Sequence, residues 1–408
     1  MNKNQAEEFL KEIHQQHILQ YFDELGDDSK EALLSQIENT DFSVIDIKKD
    51  NSPSKAGTIE PLGAMKLEEI NQNKEKYREI GLNAIRQSKV GAVLLAGGQG
   101  TRLGFDKPKG MFNIGVNVEL PIFKRLILNL MEVVDEAGCY VPLFIMTSEK
   151  NHDDTVSFFK ENDFFGYDKE YVRFFVQDMS PSVDYNGKVY MEAKDRISLS
   201  PNGNGGWYSS LMNNEETSDA LKKFGIEWLN VFAVDNVLQR MADPVFVGAT
   251  IDSGCVSGAK VVKKANPDEK VGAMCKKDGH PYIIEYYEMS DELKAQKDES
   301  GEPAYNYGVI LNYLFRTDEL QKIVDLEFPV HVVEKKIPYM NESGEYIKPE
   351  EPNGYKFEGL ILDMIMMLKD CLVFEVERER EFAPVKNKEG VDSVVSAREL
   401  LRKNGVEI

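Results

Sequence analysis

Residues 93–110, VLLAGGQGTRLGFDKPKG, place positive charge beside bare backbone. The segment holds five glycines, one arginine and two lysines, and it starts as an apolar strand. Glycines let a ligand approach the backbone closely and expose N–H donors without side-chain obstruction. Arg102 and Lys109 lie seven residues apart and can neutralise phosphate oxygens. The segment therefore predicts a site for a flat base that carries phosphates.

Two familiar classes of glycine loop do not fit this segment. An ATPase-type loop needs Gly-Lys-Ser/Thr, whereas Gly100 is followed by Thr101 and Arg102. A dinucleotide fingerprint needs a third glycine at the position where GQGTRL has Leu103. An NAD-dependent oxidoreductase is therefore disfavoured.

A carboxylate, Asp235, follows the apolar run WLNVFAV. Burying an unpaired carboxylate is costly, so Asp235 either caps the next turn or binds a metal ion. Magnesium prefers oxygen ligands and commonly takes one or two carboxylates together with phosphates and water. Both interpretations stay open on the residues alone.

The elements that must position these residues alternate from residue 90 onward. The apolar runs VGAVLL, VPLFIMTS and WLNVFAVDN predict strands, and the segments LPIFKRLILNLMEVVDEAG, NHDDTVSFFKEN and SDALKKFG predict amphipathic helices between them. Such alternation is typical of an α/β fold with a largely parallel sheet and helices on both faces. Ligands of these sheets bind at the carboxyl ends of the strands, so residues 96–109 and Asp235–Asn236 are expected at one edge. Residues 1–88 are predicted to be helical, with a turn-rich linker at 50–63.

Composition excludes several classes of protein. The chain has 408 residues and a formal net charge of −21, which argues against nucleic-acid and anionic-membrane partners. No apolar run approaches the roughly 20 residues of a membrane helix, and the N-terminus lacks the apolar centre of a secretion signal. A cytoplasmic location is therefore expected. The four scattered cysteines indicate neither a disulfide framework nor a zinc site.

Ordered blocks of sequence carry a resemblance to a known family. The blocks LAGGQGTRLG with PKG, SPNGNGGWY, FAVDNVLQRMADPVFVG, GAKVV, EKKIPY, PNGYKFE and EFAPVKN span residues 90–388. In this order they resemble the nucleotide-diphosphate-sugar pyrophosphorylases, and more narrowly the UDP-N-acetylhexosamine pyrophosphorylases. The resemblance implies a Rossmann-like, GT-A-like nucleotidyltransferase fold with a mixed, mainly parallel sheet flanked by helices. It implies an N-terminal helical region at 1–88, a catalytic core at 89–330, and the end of the core with a reduced C-terminal region at 331–408.

The resemblance also implies roles for individual residues. Arg102, Lys109 and Lys386 would be catalytic, and Asp235 would bind Mg²⁺. The nucleotide would be bound by Leu95, Gly97, Gly98, Gln177, Gly203 and Lys356. The sugar would be bound by Asn204, Gly272, Glu285 and Asn306. Where family members tend to read NAGN, this chain reads NYGV, so Tyr307 and Val309 alter the wall beside Asn306.

The implied activity is that of a uridylyltransferase. A phosphate oxygen of a sugar 1-phosphate would attack the α-phosphorus of UTP in line, giving a UDP-N-acetylhexosamine, expected to be UDP-N-acetylglucosamine, and pyrophosphate. One alternative is a UDP-glucose or broad-specificity UDP-sugar pyrophosphorylase. An alternative of another class is a non-catalytic regulator that binds sugar nucleotides. The sequence determines neither the preferred sugar nor the oligomeric state.

Overall fold

The computed structural model describes residues 1–47, 57–324, 326 and 328–408. The chain divides into two compact units, each assembled from three separate stretches. The larger unit comprises Ala56–Gln177, Trp207–Glu327 and Leu362–Ile408, and the smaller unit comprises Met1–Lys55, Asp178–Gly206 and Phe328–Ile361. The segments predicted from the sequence are continuous, whereas these units are not.

A mixed sheet forms the centre of the larger unit. Its strands, numbered along the whole chain, are β1 (Ile59–Pro61), β2 (Val90–Leu95), β3 (Leu143–Thr147), β4 (Val172–Val176), β10 (Trp228–Ala233), β11 (Ser257–Lys263), β12 (Ala273–Lys277), β13 (His280–Ile284), β14 (Tyr307–Arg316) and β19 (Leu372–Glu375). The main path runs β1-β12-β14-β10-β2-β3-β4. Strands β10, β2, β3 and β4 are mutually parallel, whereas β14 is antiparallel to β10, β11 and β12.

The parallel strands are apolar because both faces of the sheet are covered. Every residue of β2 and β3 is buried, as a sheet with helices on both faces requires. The longest covering helix, α5 (Ile122–Ala137), buries Ile122, Leu126, Leu130 and Val133 at helical spacing. The predicted α/β fold with a mixed, mainly parallel sheet is therefore confirmed.

Helices of the larger unit precede, connect or follow these strands. They are α3 (Leu67–Gln72), α4 (Lys74–Arg86), α5, α6 (His152–Glu161), α7 (Trp207–Asn213), α8 (Glu215–Phe224), α9 (Pro244–Ser253), α10 (Asp291–Ala295), α11 (Thr317–Val324), α13 (Arg378–Glu381) and α14 (Val394–Lys403); α12 (Ile361–Met367) spans the sequence boundary between the units. Helices α4 and α9 pack closely because Gly81 and Gly248 face backbone, with which a Cβ atom would collide.

No helix in the described ranges is long and apolar enough to cross a bilayer.

The described part of the smaller unit contains short strands and two α-helices other than α12. The helices are α1 (Lys3–Glu12) and α2 (Asp27–Asn39), and the strands are β5 (Met179–Pro181), β6 (Val183–Asp184), β7 (Met191–Ala193), β8 (Arg196–Ile197), β9 (Leu199–Pro201), β15 (His331–Lys335), β16 (Tyr339–Met340), β17 (Tyr346–Ile347) and β18 (Gly354–Glu358). Within the region 1–88 that was expected to be helical, the structure has helices α1–α4, with strand β1 between α2 and α3. Residues 50–56 of the predicted linker lie outside the described residues.

Candidate active site

The glycine loop after β2 is closed by its own backbone. Ala96 N–H donates to Met146 O at 2.8 Å, which continues the parallel pairing of β2 with β3. Lys109 N–H then donates to Gly98 O at 3.1 Å, so the far end of the loop returns to its beginning. A Cβ atom on Gly98 would meet nothing within 4 Å. The backbone of Gly98 therefore faces open space, in which a ligand can approach it.

Gln177 lies directly over Gly97. Its backbone N–H donates to Thr147 O at 2.8 Å at the end of β4, and the residue is 7% exposed. A Cβ atom on Gly97 would lie 3.0 Å from Gln177 Oε1, closer than most real Cβ contacts. The bare backbone thus makes room for the Gln177 amide, which has the donor and acceptor that reading a uracil edge requires. The structure brings these two predicted nucleotide-binding residues together, beside Leu95 at the end of β2.

Asn151 holds the loop from beneath, and the sequence analysis missed it. Its side chain is fully buried; Nδ2 donates to Ala96 O at 2.9 Å, and Oδ1 accepts from Ser148 N–H at 2.7 Å. These bonds fix the first turn of the loop to the end of β3. The only available signal was an asparagine at the start of a predicted helix, which is ordinary for a capping residue.

Two oppositely charged side chains, Lys109 and Asp235, lie close together at this edge of the sheet. Lys109 Nζ lies 3.9 Å from Asp235 Oδ2, and the Lys109 side chain is only 15% exposed. Burial lowers the pKa of Lys109; Asp235 opposes this effect, while Lys386 and Arg102 add to it. Two further cations are thus close enough to act on Lys109. The structure thus brings Lys109 and Asp235 together, and the catalytic roles of Arg102, Lys109 and Lys386 stay predictions.

Asn236 places the segment that carries Lys386. Its Nδ2 donates to Glu381 O at 2.7 Å, and its Oδ1 accepts from Ala383 N–H at 2.9 Å. The next turn of chain is held by Val385 N–H, which donates to Asp235 O at 2.8 Å. Lys386 Nζ then donates to Asp392 Oδ2 at 3.2 Å. Asn236 is 2% exposed, and the sequence analysis gave it a position at this edge but no role.

Asp235 suits a magnesium site only when the phosphates of a bound ligand supply further oxygen ligands. In the described ranges, no group of three or more His, Cys, Asp or Glu side chains could hold a metal ion by itself. Magnesium nevertheless commonly binds through one or two carboxylates when phosphates and water complete its shell. Asp235, beside cations suited to phosphates, provides such a carboxylate. The metal site stays a prediction.

The predicted sugar-binding residues of the larger unit each lie one residue beyond the end of an antiparallel strand: Gly272 precedes β12, Glu285 follows β13, and Asn306 precedes β14. A Cβ atom on Gly272 would lie 3.6 Å from Glu285 Oε1 and 3.5 Å from Val309 Cγ2. Val309 N–H donates to Gly272 O at 2.9 Å, which ties β14 to the residue before β12. Asn306 immediately precedes β14, and its carbonyl accepts from Lys264 N–H at 2.9 Å. Gly272 and Glu285 are therefore neighbours, and Val309 supplies an apolar wall beside them.

Three predicted site residues belong to the smaller unit. Gly203 has a φ of +86°, and a Cβ atom there would collide with Gly359 O, so the position requires glycine. Asn204 Oδ1 accepts from Ile361 N–H at 3.0 Å, at the first residue of α12. Lys356 lies on β18 opposite Val333. Gly203 and Asn204 thus have structural roles, and the binding roles of all three stay predictions.

Comparison with known proteins gives consistent matches over most of the chain. The family model described as UTP–glucose-1-phosphate uridylyltransferase matches residues 35–404. A Mus musculus relative, UDP-N-acetylhexosamine pyrophosphorylase-like protein 1, is 36% identical over 94% of this chain and 80% of its own length. The Saccharomyces cerevisiae UDP-N-acetylglucosamine pyrophosphorylase is 35% identical over 94% of this chain and 82% of its own.

A solved structure agrees with these sequence matches. The uridine diphosphate N-acetylglucosamine pyrophosphorylase from Trypanosoma brucei, crystallised with an inhibitor, superposes with a TM-score of 0.80. The two chains are 27% identical, and the match covers 96% of this chain and 82% of the other.

Proposed function

The chain belongs to the UTP–glucose-1-phosphate uridylyltransferase family, and we propose that it joins UTP to an N-acetylhexosamine 1-phosphate, giving the UDP-sugar and pyrophosphate. One observation carries the proposal: Lys109 and Asp235 lie 3.9 Å apart beside an open glycine loop at the carboxyl ends of parallel strands. A nucleoside triphosphate has the flat base and the charge that such an edge accommodates. The cytoplasmic location also stays a prediction.

The reaction needs positioning and charge stabilisation rather than a protein nucleophile. The attacking sugar phosphate is already ionised, so no general base is required. We assign Arg102 and Lys109 to the departing pyrophosphate and Lys386 to the attacking phosphate and the α-phosphoryl group. Magnesium bound at Asp235 would supply further neutralisation of phosphate charge. The buried position of Lys109 strengthens its effect, since charges act more strongly where water is excluded.

A UDP-glucose or broad-specificity pyrophosphorylase is the second candidate. The apolar side chain of Val309 lies where the resemblance implies an asparagine, beside Gly272 and Glu285. An apolar wall offers no hydrogen bond to an N-acetyl group, so we expect weaker discrimination in favour of that group.

The test is pyrophosphate release from UTP with four separate sugar 1-phosphates: N-acetylglucosamine, N-acetylgalactosamine, glucose and galactose. We expect release with the N-acetylated sugars, dependence on Mg²⁺, and loss on adding EDTA. Release with glucose 1-phosphate alone would support the proposed reaction and contradict the proposed N-acetylhexosamine substrate. Silence with all four sugars from folded protein that binds UDP-sugars would favour the non-catalytic regulator.

A further inference from the structure

A tight turn, residues 386–393, joins the predicted catalytic Lys386 to the start of α14, and we call it the Lys386 turn. Asp392 closes it, because the Asp392 carbonyl accepts from Lys386 N–H at 2.7 Å and from Asn387 N–H at 3.0 Å. Val394 N–H in turn donates to Asn387 O at 3.0 Å. These bonds fix the backbone of Lys386 to the residues that begin the helix.

Helix α14 is a firm anchor for this turn. Its N-cap, Ser393, is fully buried and forms a capping box with Ser396, in which each side chain accepts from the backbone N–H of the other. Ala397 and Leu401 of the helix are fully buried in the core of the larger unit. The Lys386 turn is therefore attached to a packed element at its far end.

The side chain of Asp392 reaches the catalytic amine itself. Lys386 Nζ donates to Asp392 Oδ2 at 3.2 Å, and the two side chains are 38% and 25% exposed. An ammonium has three N–H donors, and this bond uses one of them. The pair thus fixes the direction of the Lys386 side chain and leaves donors for phosphate oxygens.

The backbone of Asp392 shows that its charge is not needed for the turn. Its φ is +52°, in the left-handed region that few residues other than glycine adopt. Asparagine tolerates this region as well as aspartate does, and glycine tolerates it better. Either residue would satisfy the backbone without a negative charge. The geometry of the turn therefore does not explain the carboxylate, whereas its bond to Lys386 does.

We propose that Asp392 is a positioning residue, which directs the Lys386 ammonium toward the edge of the sheet that holds Asp235. The backbone connects the two places, since Val385 N–H donates to Asp235 O at 2.8 Å. Asp392 acts through Lys386 and not on the substrate. The inference rests on the proposed function, in which Lys386 stabilises the attacking phosphate and the α-phosphoryl group. A carboxylate beside an anionic substrate also weakens binding, so the pair improves orientation at some loss of affinity.

Asp392→Asn tests this role, because it removes the charge and suits the backbone. We expect kcat to fall about tenfold, less than the roughly 100-fold that a misplaced reacting group can cost. The KM for the sugar 1-phosphate should fall by up to about fivefold, the size of an interaction between partly exposed charges. A general loosening of the turn would instead raise the KM. Glu389→Gln, at an exposed carboxylate of the same turn, is the matched control and should change neither value.

Lys386→Met removes the group through which Asp392 acts. In that background, Asp392→Asn should have no further effect on kcat, because residues that act as one unit are not additive. Two effects that multiply would mean that Asp392 acts independently of Lys386 and would overturn the proposal. Asp392→Gly covers the case in which Asp392→Asn does not fold, since glycine suits the positive φ, and it should show the same loss of kcat.

Acylation of lysines by acetic anhydride, measured by peptide mass spectrometry, tests the pair without the reaction. An amine reacts in its neutral form, which a partner carboxylate disfavours. Lys386 should therefore react faster in Asp392→Asn than in the wild type, and Lys223, an exposed lysine of α8, should react equally in both.

Three results would overturn the role of Asp392: equal labelling of Lys386 in both proteins, an unchanged kcat in Asp392→Asn, or a KM that rises as kcat falls. A wild-type protein that releases no pyrophosphate with any sugar 1-phosphate would overturn the proposed function instead. The labelling would still decide whether Asp392 holds Lys386.

Discussion

The phosphate edge and the sugar edge of the larger unit are built in different ways. The phosphate edge consists of the glycine loop, the Asp235 turn and the segment leading to Lys386, which are connections outside the strands. Two buried amides, Asn151 and Asn236, hold these connections in place. The sugar edge consists of Gly272, Glu285 and the start of β14, which continue the antiparallel strands.

This difference separates two tasks. Connections carrying several cations can surround phosphates and stabilise charge that changes during the reaction. Side chains on or beside strands present a fixed surface whose shape and hydrogen-bonding groups select one sugar over another. Substitutions at the phosphate edge should therefore act on turnover, and those at the sugar edge on the choice and affinity of the sugar.

Lys109→Met should have the largest effect. Loss of a preorganised cation at a developing charge typically reduces turnover by about 10²–10³-fold, and we expect kcat to fall within that range. The affinity for the UDP-sugar should change far less, because Lys109 is assigned to the departing pyrophosphate. Lys107→Met, at an exposed lysine of the same loop, is the matched control and should keep most of the activity. An unchanged kcat in Lys109→Met would contradict the role assigned to Lys109 and the proposed difference between the two edges.

Glu285→Gln should have a smaller effect of another kind. A hydrogen bond to a charged group contributes about 1.5–3 kcal/mol, so losing the charge should raise the KM for the sugar 1-phosphate about tenfold. Because the sugar hydroxyls do not react, kcat should change little. Glu292→Gln, an exposed residue of α10, is the control. A large fall in kcat without a change in KM would mean that the sugar edge takes part in the charge stabilisation assigned to the phosphate edge.

Much of the phosphate edge could be predicted because its signals are local. The apolar runs of β2 and β10 predict strands, and strand–helix alternation makes them parallel. Parallel strands bring the ends of their connections to one edge, which is why Lys109 and Asp235 could be placed together before any distance was known. Gln177 was found through the resemblance, since an isolated glutamine carries no such signal.

The residues that hold this edge could not be predicted in the same way. Asn151 and Asn236 act through hydrogen bonds to distant backbone, and a single sequence does not show which carbonyl an amide will meet. The compact units pose the same problem on a larger scale. Each combines three separate stretches of chain, whereas periodicity and composition vary along the sequence and suggest continuous segments.

The pH dependence of pyrophosphate binding should be the smallest of these effects. It tests directly whether Lys109 is a buried cation of the phosphate edge. Burial and two neighbouring cations lower the pKa of Lys109 in the free protein, against the opposing effect of Asp235. Bound pyrophosphate favours the charged amine and so raises this pKa. Between the free and bound pKa values, binding takes up a proton, and the affinity falls by up to about tenfold per pH unit as the pH rises. Calorimetry in buffers of different ionisation enthalpy measures that proton uptake.

The lowered pKa of Lys109 affects stability in the opposite direction: as the pH rises, the affinity for pyrophosphate falls but the free energy of unfolding increases. The folded pKa of Lys109 lies below the unfolded value of 10.5, so folding at neutral pH is opposed by the charged amine, and this penalty fades as the pH rises through the two values. Lys109→Met should therefore raise the free energy of unfolding at neutral pH while it removes activity, whereas Glu285→Gln should leave stability nearly unchanged. Pyrophosphate titrates by itself in alkaline solution, and Lys109→Met corrects for this because it retains only the ligand's own proton uptake. Equal proton uptake in the variant and the wild type, together with equal stability, would mean that Lys109 is an ordinary solvated lysine. The phosphate edge would then lack the buried cation on which its difference from the sugar edge rests.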